Sequence, residues 1–441
     1  MPRVATDRSP SLVRVFGQPK MAALLFLGFS SGLPLFLTSR TLQAWMAVEE
    51  VDLTTIGLVS LLGMPYTFKF LWAPLLDRYV PPFLGRRRGW LVVTQVALLL
   101  AIAAMSLQNP RTGLQLLAVN ALLIAFFSAT QDIAVDAYRV DVLDEREMGA
   151  GASLHVLGYR IALLLTGGLA LVLADRMPWP TVYLLMALLM GVGIVAAVRA
   201  PEPVLRDTPP LTLASAVVDP LRDFFRRTGA LWGVVILLFT VFYQLADRFA
   251  ANLATPFLID VGFSQSEIGV VQGGIGLGAT IVGVLVGGAI IAKLGINRSV
   301  WLFAFLQIGS NLAYYWVSRT GASRPALVTA IVVENLAGGL VTAVFVAYMM
   351  SLCSKRFSAT QYALLSSLMA FARDFIVAPS GSVAEQTGWP TYFLLTMLAG
   401  IPAILLLPFV TPWNADVPRG AAEHTGEVED DAGRRRGPAA A

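Results

Sequence analysis

Twelve long apolar stretches fill this chain, and most of its basic residues lie on alternate connections between them. A stretch of roughly 20 apolar residues crosses the ~30 Å hydrocarbon core of a bilayer as a helix. In lipid, only helices and closed barrels satisfy their backbone hydrogen bonds, and these stretches lack the short alternating segments of a barrel. The pattern therefore predicts an all-α, polytopic membrane protein with both termini on one side.

The stretches fall into two groups of six, separated by a proline-rich polar segment. We place the spans near 21–47, 54–76, 88–107, 113–140, 148–174, 178–199, 229–258, 265–292, 298–318, 324–352, 358–384 and 388–412. The predicted organisation is a cytoplasmic segment 1–20, a six-helix bundle 21–199, a cytoplasmic linker 200–228, a second six-helix bundle 229–412 and a disordered cytoplasmic tail 413–441. Within the linker, 212–227 is predicted to form an amphipathic helix along the membrane surface.

Composition and charge agree with a multi-pass protein of a bacterial inner membrane. Hydrophobic residues make up 56% of the chain and charged residues 14%, too little charge for a soluble surface. Of the 32 Lys and Arg residues, 23 lie on the side of the termini, 4 on the opposite side and 5 inside spans. An excess of basic residues marks the cytoplasmic side, so both termini are expected there. The basic residues are scattered over short loops, so we expect no nucleic-acid partner.

The sequence offers no pattern for catalysis or for a bound cofactor. There are two histidines, His155 and His424, and one cysteine, Cys353, so a His/Cys metal cluster is not predicted. No Gly-x-x-x-x-Gly-Lys-Ser/Thr loop is present to bind ATP. We therefore expect neither an enzyme nor a cofactor or metal site, and we interpret Cys353 as a small apolar residue.

A faint internal repeat relates the two halves. Ile56-Gly57 opens span 2 and Ile268-Gly269 opens span 8, each just after a short acidic loop. Two related six-helix halves are typical of a transporter that rocks around a central site.

Ionisable residues inside spans are the first candidates for function, because each costs roughly 2.5–3.5 kcal/mol to insert. Asp132 and Asp136 are the sharpest pair, since spacing i, i+4 puts them on one helical face. Two neighbouring carboxylates suit proton coupling, and the alternative is a structural partner for Arg139 or Arg160. The other ionisable residues predicted to lie within the spans are Asp247, Glu334, Asp374, Arg40, Lys69, Arg160, Arg248 and Arg373.

Each further candidate has a functional and a structural interpretation. Asp247 and Glu334 are candidates for proton coupling, with Asn335 beside Glu334. Arg160 and Arg373 occupy similar places in the two halves and would clamp a substrate carboxylate or else pair with buried acids. The other substrate-binding candidates are polar or aromatic side chains, Gln131, Gln43, Trp45 and Lys69. For Trp45 the alternative is an interface anchor, and for Lys69 it is a side chain reaching the surface.

The loop between spans 2 and 3 resembles the loop motif of the major facilitator superfamily. Asp77-Arg78 and Gly85-Arg86-Arg87-Arg88 follow the usual Gly-x-x-x-Asp-Arg-x-Gly-Arg-Arg/Lys form, with Ala73 at the first Gly and a five-residue insertion over 80–84. The resemblance implies a gating role for Asp77, Arg78 and Arg86. In span 1, the small residues with Gly32 and Pro34 suit a deformable gating segment, and close packing is the alternative.

Four stretches narrow the resemblance to AmpG-type muropeptide permeases. They are FGQPKMAALLFLGFSSGLPLFLTSRTLQAWM (16–46), FKFLWAPLLDRYVPPFLGRRRGW (68–90), SATQDIAVDAYRVDVL (128–143) and ENLAGGLVTAVFVAYMMSLCSKRFSATQYALLS (334–366). The resemblance implies import of anhydromuropeptides (GlcNAc-anhydroMurNAc-peptides) from the periplasm for peptidoglycan recycling. The partners that it implies are protons and the lipid bilayer, and the expected transporter is a monomer. Some members carry further C-terminal spans that are not in these twelve.

Two other functions stay open on the sequence alone. One is transport of another solute class on the same fold, such as drug efflux or sugar or peptide uptake. The other is a membrane scaffold or receptor in which the buried charges only hold helices together.

Overall fold

The computed structural model describes residues 17–51, 62–203, 212–371, 376–377, 379–415 and 417–421. Within these ranges all regular secondary structure is helical, and no strand occurs. The helices form two bundles joined by a linker helix, as the all-α prediction requires.

The first bundle contains spans 1 to 6. Its helices are α1 (Pro19–Leu37), α2 (Arg40–Val48), α3 (Met64–Phe68), α4 (Ala73–Arg78), α5 (Arg86–Met105), α6 (Leu114–Val142), α7 (Met148–Leu164), α8 (Ala170–Ala174) and α9 (Trp179–Arg199). The linker helix is α10 (Leu213–Thr228).

The second bundle contains spans 7 to 12. Its helices are α11 (Ala230–Phe242), α12 (Leu245–Val261), α13 (Gln265–Val270), α14 (Leu277–Thr320), α15 (Arg324–Leu352), α16 (Ser358–Phe371), α17 (Ser380–Thr387), α18 (Trp389–Leu398) and α19 (Ile401–Val410).

Nine stretches among the described residues are long and apolar enough to cross a membrane. One of them, Glu267–Thr320, is two spans that meet at Gly295, whose φ of 77° breaks the helix. Spans 2 and 11 do not reach the required length because each is broken and partly outside the described residues. The twelve-span organisation is that of the predicted fold class.

Several spans are discontinuous near the middle of the bundles. Span 7 stops at Phe242 and restarts at Leu245, while π-helical turns interrupt span 5 at Leu165–Leu169 and span 8 at Val271–Gly276. In transporters, broken helices near the membrane midplane form substrate and ion sites, and π-turns occur frequently at functional positions. The breaks therefore direct attention to the residues around them.

Glycines bring α1 against α7 and α14 against α15. A Cβ at Gly158 would lie 1.9 Å from the carbonyl oxygen of Leu25, and one at Gly28 would lie 2.1 Å from that of His155. Only glycine permits so close an approach of two backbones. Gly32 belongs to the same contact, since its Cβ would lie 2.6 Å from the Tyr159 carbonyl oxygen. Close packing is thus the role the structure gives Gly32.

Adjacent glycines in α15 provide a matched test of this packing. A Cβ at Gly339 would lie 2.4 Å from the Thr280 carbonyl oxygen, whereas one at Gly338 would meet nothing within 4 Å. Gly339→Ala is expected to cost about 1–3 kcal/mol of stability by overpacking. Gly338→Ala is expected to be neutral or to stabilise the helix by up to about 1 kcal/mol. Thermal unfolding of both variants in detergent measures the difference, and equal melting temperatures would refute this packing.

The linker helix packs on the second bundle. Thr212 and Ser215 cap its first turn reciprocally, with 3.0 Å from the Ser215 N–H to Thr212 Oγ1. At its other end, Arg227 Nη2 donates to the Leu352 carbonyl oxygen (3.1 Å) and Nη1 donates to that of Gly420 (2.8 Å). The predicted helix over 212–227 is therefore present, and it is fastened to α15 and to the chain beyond α19.

The predicted disordered tail was placed too early. Asn297 Nδ2 donates to the carbonyl oxygens of Pro412, Ala415 and Val417 at 2.8–3.1 Å, and the Arg419 guanidinium lies 3.9 Å from the Trp232 ring centroid. These contacts hold residues up to 421 on the second bundle, which a polar composition alone did not predict. Residues 422–441 lie outside the described part of the chain.

Candidate functional site

Most of the charged residues that the structure describes within the spans gather where the two bundles face each other, whereas Arg40 is exposed and lies over the Phe36 ring. We call the side of the molecule that carries Lys20, Arg86–Arg88, Arg227 and Arg419 the basic face, and the other side the opposite face. The residues on α6, α7, α12 and α15 form two clusters, one on each bundle.

The first cluster lies on α6 and reaches α1. Gln131 is fully buried and its Nε2 donates to Ser31 Oγ on α1 (3.3 Å). Asp132 is partly buried, and its carboxylate lies within hydrogen-bonding reach of the Ser31 hydroxyl and within electrostatic range of Lys69. Asp132 thus faces span 1, and its role in coupling stays a prediction.

Asp136, one turn further along α6, is held by two cations. Lys69 Nζ donates to one carboxylate oxygen (3.2 Å) and Arg139 Nη2 donates to the other. Lys69 is only 7% exposed, so it is a buried ion-pair partner and does not extend to the surface. Among the described residues, these ion pairs involve Asp136 rather than Asp132, so the structure separates the roles of the two carboxylates.

Arg139 connects this cluster to the second bundle. The same Nη2 donates to the Tyr362 hydroxyl on α16 (3.0 Å), and the guanidinium lies 5.2 Å from the centroid of that ring. A cavity of about 220 Å³ adjoins this contact and is lined by Asp136 from the first bundle and by Gln244, Arg248, Met349, Tyr362 and Ser366 from the second. The cavity therefore lies between the bundles and has charged groups of both signs on its walls.

The second cluster surrounds the break in span 7. Asp247 accepts a hydrogen bond from Gln307 Nε2 (2.8 Å), whereas Arg248 Nη2 donates to Gln244 Oε1 (2.8 Å). The two neighbours therefore have different partners, as expected for adjacent residues on a helix.

Glu334 on α15 completes the second cluster. Its carboxylate accepts from Asn335 Nδ2 (2.6 Å), and Asn335 Oδ1 accepts from the Thr280 hydroxyl (2.9 Å). Arg160, on α7 of the first bundle, lies within electrostatic range of both Asp247 and Glu334. A cation from one bundle thus faces two carboxylates of the other. Arg373, predicted to be its counterpart, lies outside the described residues, as does Asp374.

At the basic face, Asp77 joins the two bundles. Its carboxylate accepts from the Thr360 N–H and hydroxyl (2.8 Å each) at the first turn of α16, where unpaired backbone N–H groups favour an anion. Asp77 is fully buried. Its predicted place at the gate is consistent with these contacts, which close the basic face in this conformation.

Arg87, and not Arg86, forms the ion pair with Asp77. Arg87 Nη2 lies 3.0 Å from Asp77 Oδ1 and 2.6 Å from Ser358 Oγ, and its Nε lies 2.5 Å from Asp141 Oδ2. We call Asp77, Arg87, Asp141, Ser358 and Thr360 the basic-face lock.

The gating role that the resemblance implies for Arg86 stays a prediction. Arg86 reaches only the Asp77 carbonyl oxygen (3.3 Å), because the inserted loop ends with positive φ at Leu84 and Gly85 and fixes where α5 begins. Successive side chains on a helix point about 100° apart, so the three consecutive arginines have different neighbours. The Arg78 guanidinium lies 5.2 Å from the Tyr79 ring centroid, and no described contact places it in the lock.

The linker helix contacts α16 close to the lock. Gln361 Nε2, on α16, donates to the Pro220 carbonyl oxygen and to Asp223 Oδ2, at 2.9 Å each. Near the same face, a Cβ at Gly288 would lie 2.1 Å from Ser153 Oγ, so α14 and α7 are also in contact across the bundles.

Trp45 does not line the cavity, contrary to its prediction as a substrate residue. It is 2% exposed, and its ring lies 6.0 Å from that of Trp179 and 5.1 Å from that of Tyr183. The reason is that α2 continues span 1 into the core of the first bundle. Gln43 is partly exposed on the same helix, and Pro34 is buried inside α1.

Trp45→Ala tests this assignment. Removing a buried tryptophan from an aromatic cluster is expected to cost about 3 kcal/mol or more of stability. The apparent affinity for substrate should not change in the folded fraction. Thermal unfolding together with concentration-dependent transport separates the two effects, and a loss of affinity without a loss of stability would restore the substrate role.

Sequence reasoning missed Arg87, Asp141, Ser358, Thr360 and Gln307. The first four could not be predicted from local sequence patterns. They belong to a lock that joins segments about 280 residues apart, as the Asp77–Thr360 contact shows. The three-arginine run was identified as part of the loop motif, but the motif did not show which arginine pairs with Asp77. Among the described residues, no group of three or more His, Cys, Asp or Glu side chains is arranged to hold a metal ion.

The family model of the major facilitator superfamily matches residues 21–378. The chain belongs to this superfamily. It is 51% identical over 401 residues to the anhydromuropeptide permease of Escherichia coli (strain K12), which covers 90% of this chain and 81% of the relative. It is also 32% identical over 409 residues to the putative transporter AmpG 4 of Rickettsia felis, covering 90% of this chain and 98% of the relative. The AmpG-type resemblance is confirmed.

Solved structures confirm the fold. The proton:xylose symporter XylE superimposes with a TM-score of 0.68 at 10% identity, covering 94% of this chain and 98% of that one. The transporter FucP in its outward conformation gives 0.67 at 15% identity, covering 90% and 99%. Identities this low establish the superfamily architecture and nothing about substrates.

Proposed function

We propose that this protein imports anhydromuropeptides from the periplasm to the cytoplasm across the bacterial inner membrane, together with protons. The observation that carries the substrate class is the 51% identity, over 90% of the chain, with a protein named anhydromuropeptide permease. The proposal makes the basic face cytoplasmic, in agreement with the excess of Lys and Arg residues on it. In this proposal the protein is a multi-pass transporter that acts as a monomer, and it is not an enzyme.

The charges between the bundles suit a peptide-bearing sugar. The stem peptide of such a substrate carries carboxylates, and Arg160 would bind one through its planar pair of donors. Arg373 is proposed for the same role. Asn335, Gln43 and Gln131 would hydrogen-bond sugar hydroxyls or amides, although Gln131 must first leave Ser31.

Protons would move through the carboxylates of the two clusters. Asp132 is the carboxylate of the first cluster that Lys69 and Arg139 do not hold in an ion pair, so it is our first candidate. In the second cluster, Asp247 and Glu334 share the positive field of Arg160. A substrate carboxylate that bound Arg160 would weaken that field at both acids. This gives a physical route by which substrate and proton binding affect each other.

Alternating access follows from the closed basic face. The lock and the Arg139–Tyr362 contact hold the bundles together on that face. Release to the cytoplasm requires these contacts to separate while the bundles rock about the central charges. The cavity of about 220 Å³ is smaller than typical ligand sites of about 300–1,000 Å³, so it must enlarge to admit a disaccharide.

Uptake by the purified full chain in proteoliposomes tests the proposal. Labelled GlcNAc-anhydroMurNAc-tripeptide is expected to enter, and the unlabelled compound should compete while xylose should not. Arg160→Gln should raise the concentration needed for half-maximal uptake of the peptide-bearing substrate by about tenfold, the factor for one lost charged contact of about 1.4 kcal/mol. Entry of xylose or a lipophilic drug in place of the muropeptide would contradict the proposed substrate class.

A further inference from the structure

A lipid-facing groove separates α1 from α9 at the basic face, away from the charges described above. Its volume is about 630 Å³. One wall is formed by Pro19, Ala22, Ala23 and Phe26 of α1, and the other by residues of α9 from Gly191 to Ala200. Both helices belong to membrane spans, so the groove opens toward the acyl chains of one leaflet.

The walls fit a hydrocarbon chain. Small residues on both helices keep the groove open, while Phe26 and Val195 are 45% and 50% exposed along its edges. At 1.5 Å per residue, the α9 wall from Gly191 to Arg199 is about 12 Å long. That length covers most of one leaflet, whose hydrocarbon layer is about 15 Å thick.

Arg199 supplies a cation at the headgroup end of the groove. It is exposed in the last turn of α9, and no described carboxylate lies within 4.0 Å of its guanidinium. The neighbouring charges are already engaged. Lys20 Nζ lies 2.5 Å from Glu147, and Glu202 accepts from the backbone N–H groups of Arg87 and Arg88 at 3.1 Å each.

Capping of α9 does not account for Arg199. Arg88 Nε donates to the Ala197 carbonyl oxygen (3.1 Å) and its Nη2 donates to that of Val198. The last carbonyl groups of α9 therefore already have a cationic partner, and the Arg199 guanidinium is available to a ligand.

We propose that this groove binds a phospholipid with an anionic headgroup, one acyl chain lying between α1 and α9 and the phosphate on Arg199. A guanidinium binds phosphate through two parallel hydrogen bonds, and basic pockets between spans are typical sites for anionic lipids. A zwitterionic lipid would leave its ammonium group without a carboxylate partner in the groove. The site therefore favours phosphatidylglycerol over phosphatidylcholine.

Native mass spectrometry of the full chain, offered equal amounts of the two lipids with identical acyl chains, tests the proposal. The wild-type chain is expected to retain phosphatidylglycerol in preference. Arg199→Gln should reduce that retention by about fivefold, the factor for one basic contact with an anionic headgroup. Arg176→Gln, at the other end of the same span, removes an equal charge and should change nothing. Val195→Trp, which fills the groove, should reduce retention of both lipids.

Thermal unfolding distinguishes a lipid from a simple anion. Phosphatidylglycerol should raise the melting temperature of the wild-type chain and of Arg176→Gln by equal amounts and that of Arg199→Gln by less, and inorganic phosphate alone should raise none. Equal retention of the two lipids, equal retention by Arg199→Gln and wild type, or an equal thermal effect of phosphate would each overturn the proposal. Each readout is independent of muropeptide transport, so the lipid-binding proposal can fail while the proposed function holds, and the reverse.

Discussion

Asp132→Asn is expected to abolish accumulation of anhydromuropeptide against its gradient while leaving exchange across the membrane intact. The substitution keeps the size of the side chain and its reach to Ser31, but it removes the carboxyl group that we propose carries the proton. A pH gradient of about one unit supplies about 1.4 kcal/mol per proton, enough for about tenfold accumulation. The variant should only equilibrate labelled substrate, whereas counterflow of preloaded substrate should continue at a rate near that of wild type.

Two controls locate the effect. Asp175→Asn, exposed at the opposite face, removes an equal charge and should accumulate substrate normally. Asp136→Asn removes the partner of Lys69 and Arg139 and should reduce exchange as well as accumulation, because it leaves two buried cations unpaired. Normal accumulation by Asp132→Asn would assign the proton to Asp247 or Glu334, and the matching amide variants would be measured in the same way.

Arg87→Gln is expected to open the basic face. Arg87 is 1% exposed and pairs with two buried carboxylates while also reaching Ser358 on the second bundle. Removing one partner from a buried ion pair typically costs about 3–5 kcal/mol. The two ion pairs of Arg87 lie within the first bundle, so the part of this loss that depends on the Ser358 contact falls on the conformation in which the bundles touch. The population should therefore shift toward the conformation open at this face.

The single cysteine reports that opening directly. Cys353 is buried at the end of α15, within electrostatic range of Asp77, Asp136 and Asp141 of the first bundle. Labelling by a membrane-permeant maleimide should be slow in wild type and at least about tenfold faster in Arg87→Gln, a change that needs a shift of only about 1.4 kcal/mol. Arg88→Gln is the matched control, because its contacts lie within the first bundle. Equal labelling rates for all three proteins would refute the lock.

The architecture was predictable because the bilayer limits the structures that a chain can adopt within it. Apolar stretches and the basic residues between them predicted twelve transmembrane helices. The structure differs from this prediction mainly in the positions at which the helices are interrupted. The described part of span 2, from residue 62 onward, is a series of short helices, since Pro65 and Pro74 cannot donate backbone hydrogen bonds there. Gly295 was read as part of a loop, and the structure shows only a sharp bend between two spans.

The site was predictable as a set of residue types but not as a set of pairs. Buried charge predicted that Asp136, Lys69 and Arg160 face the bundle interface, since lipid would exclude them. Their partners depend on contacts between distant segments, such as Arg139 with Tyr362 or Asp77 with Thr360. For Trp45 the residue type itself was misleading. An aromatic ring near a span end is apolar enough to be buried in the core of the bundle. The register of the arginine run required the loop conformation at Leu84 and Gly85.

Simultaneous entry of substrate and protons is the most direct measurement. Labelled anhydromuropeptide is added outside wild-type proteoliposomes with no imposed pH gradient, and the external pH is followed together with internal label. We expect the external solution to become more alkaline as label enters, and a Glu334→Gln, Asp132→Asn double variant to lose the alkalinisation while label still equilibrates. Entry of label at the normal rate with no change in external pH would contradict proton-coupled import by these buried carboxylates.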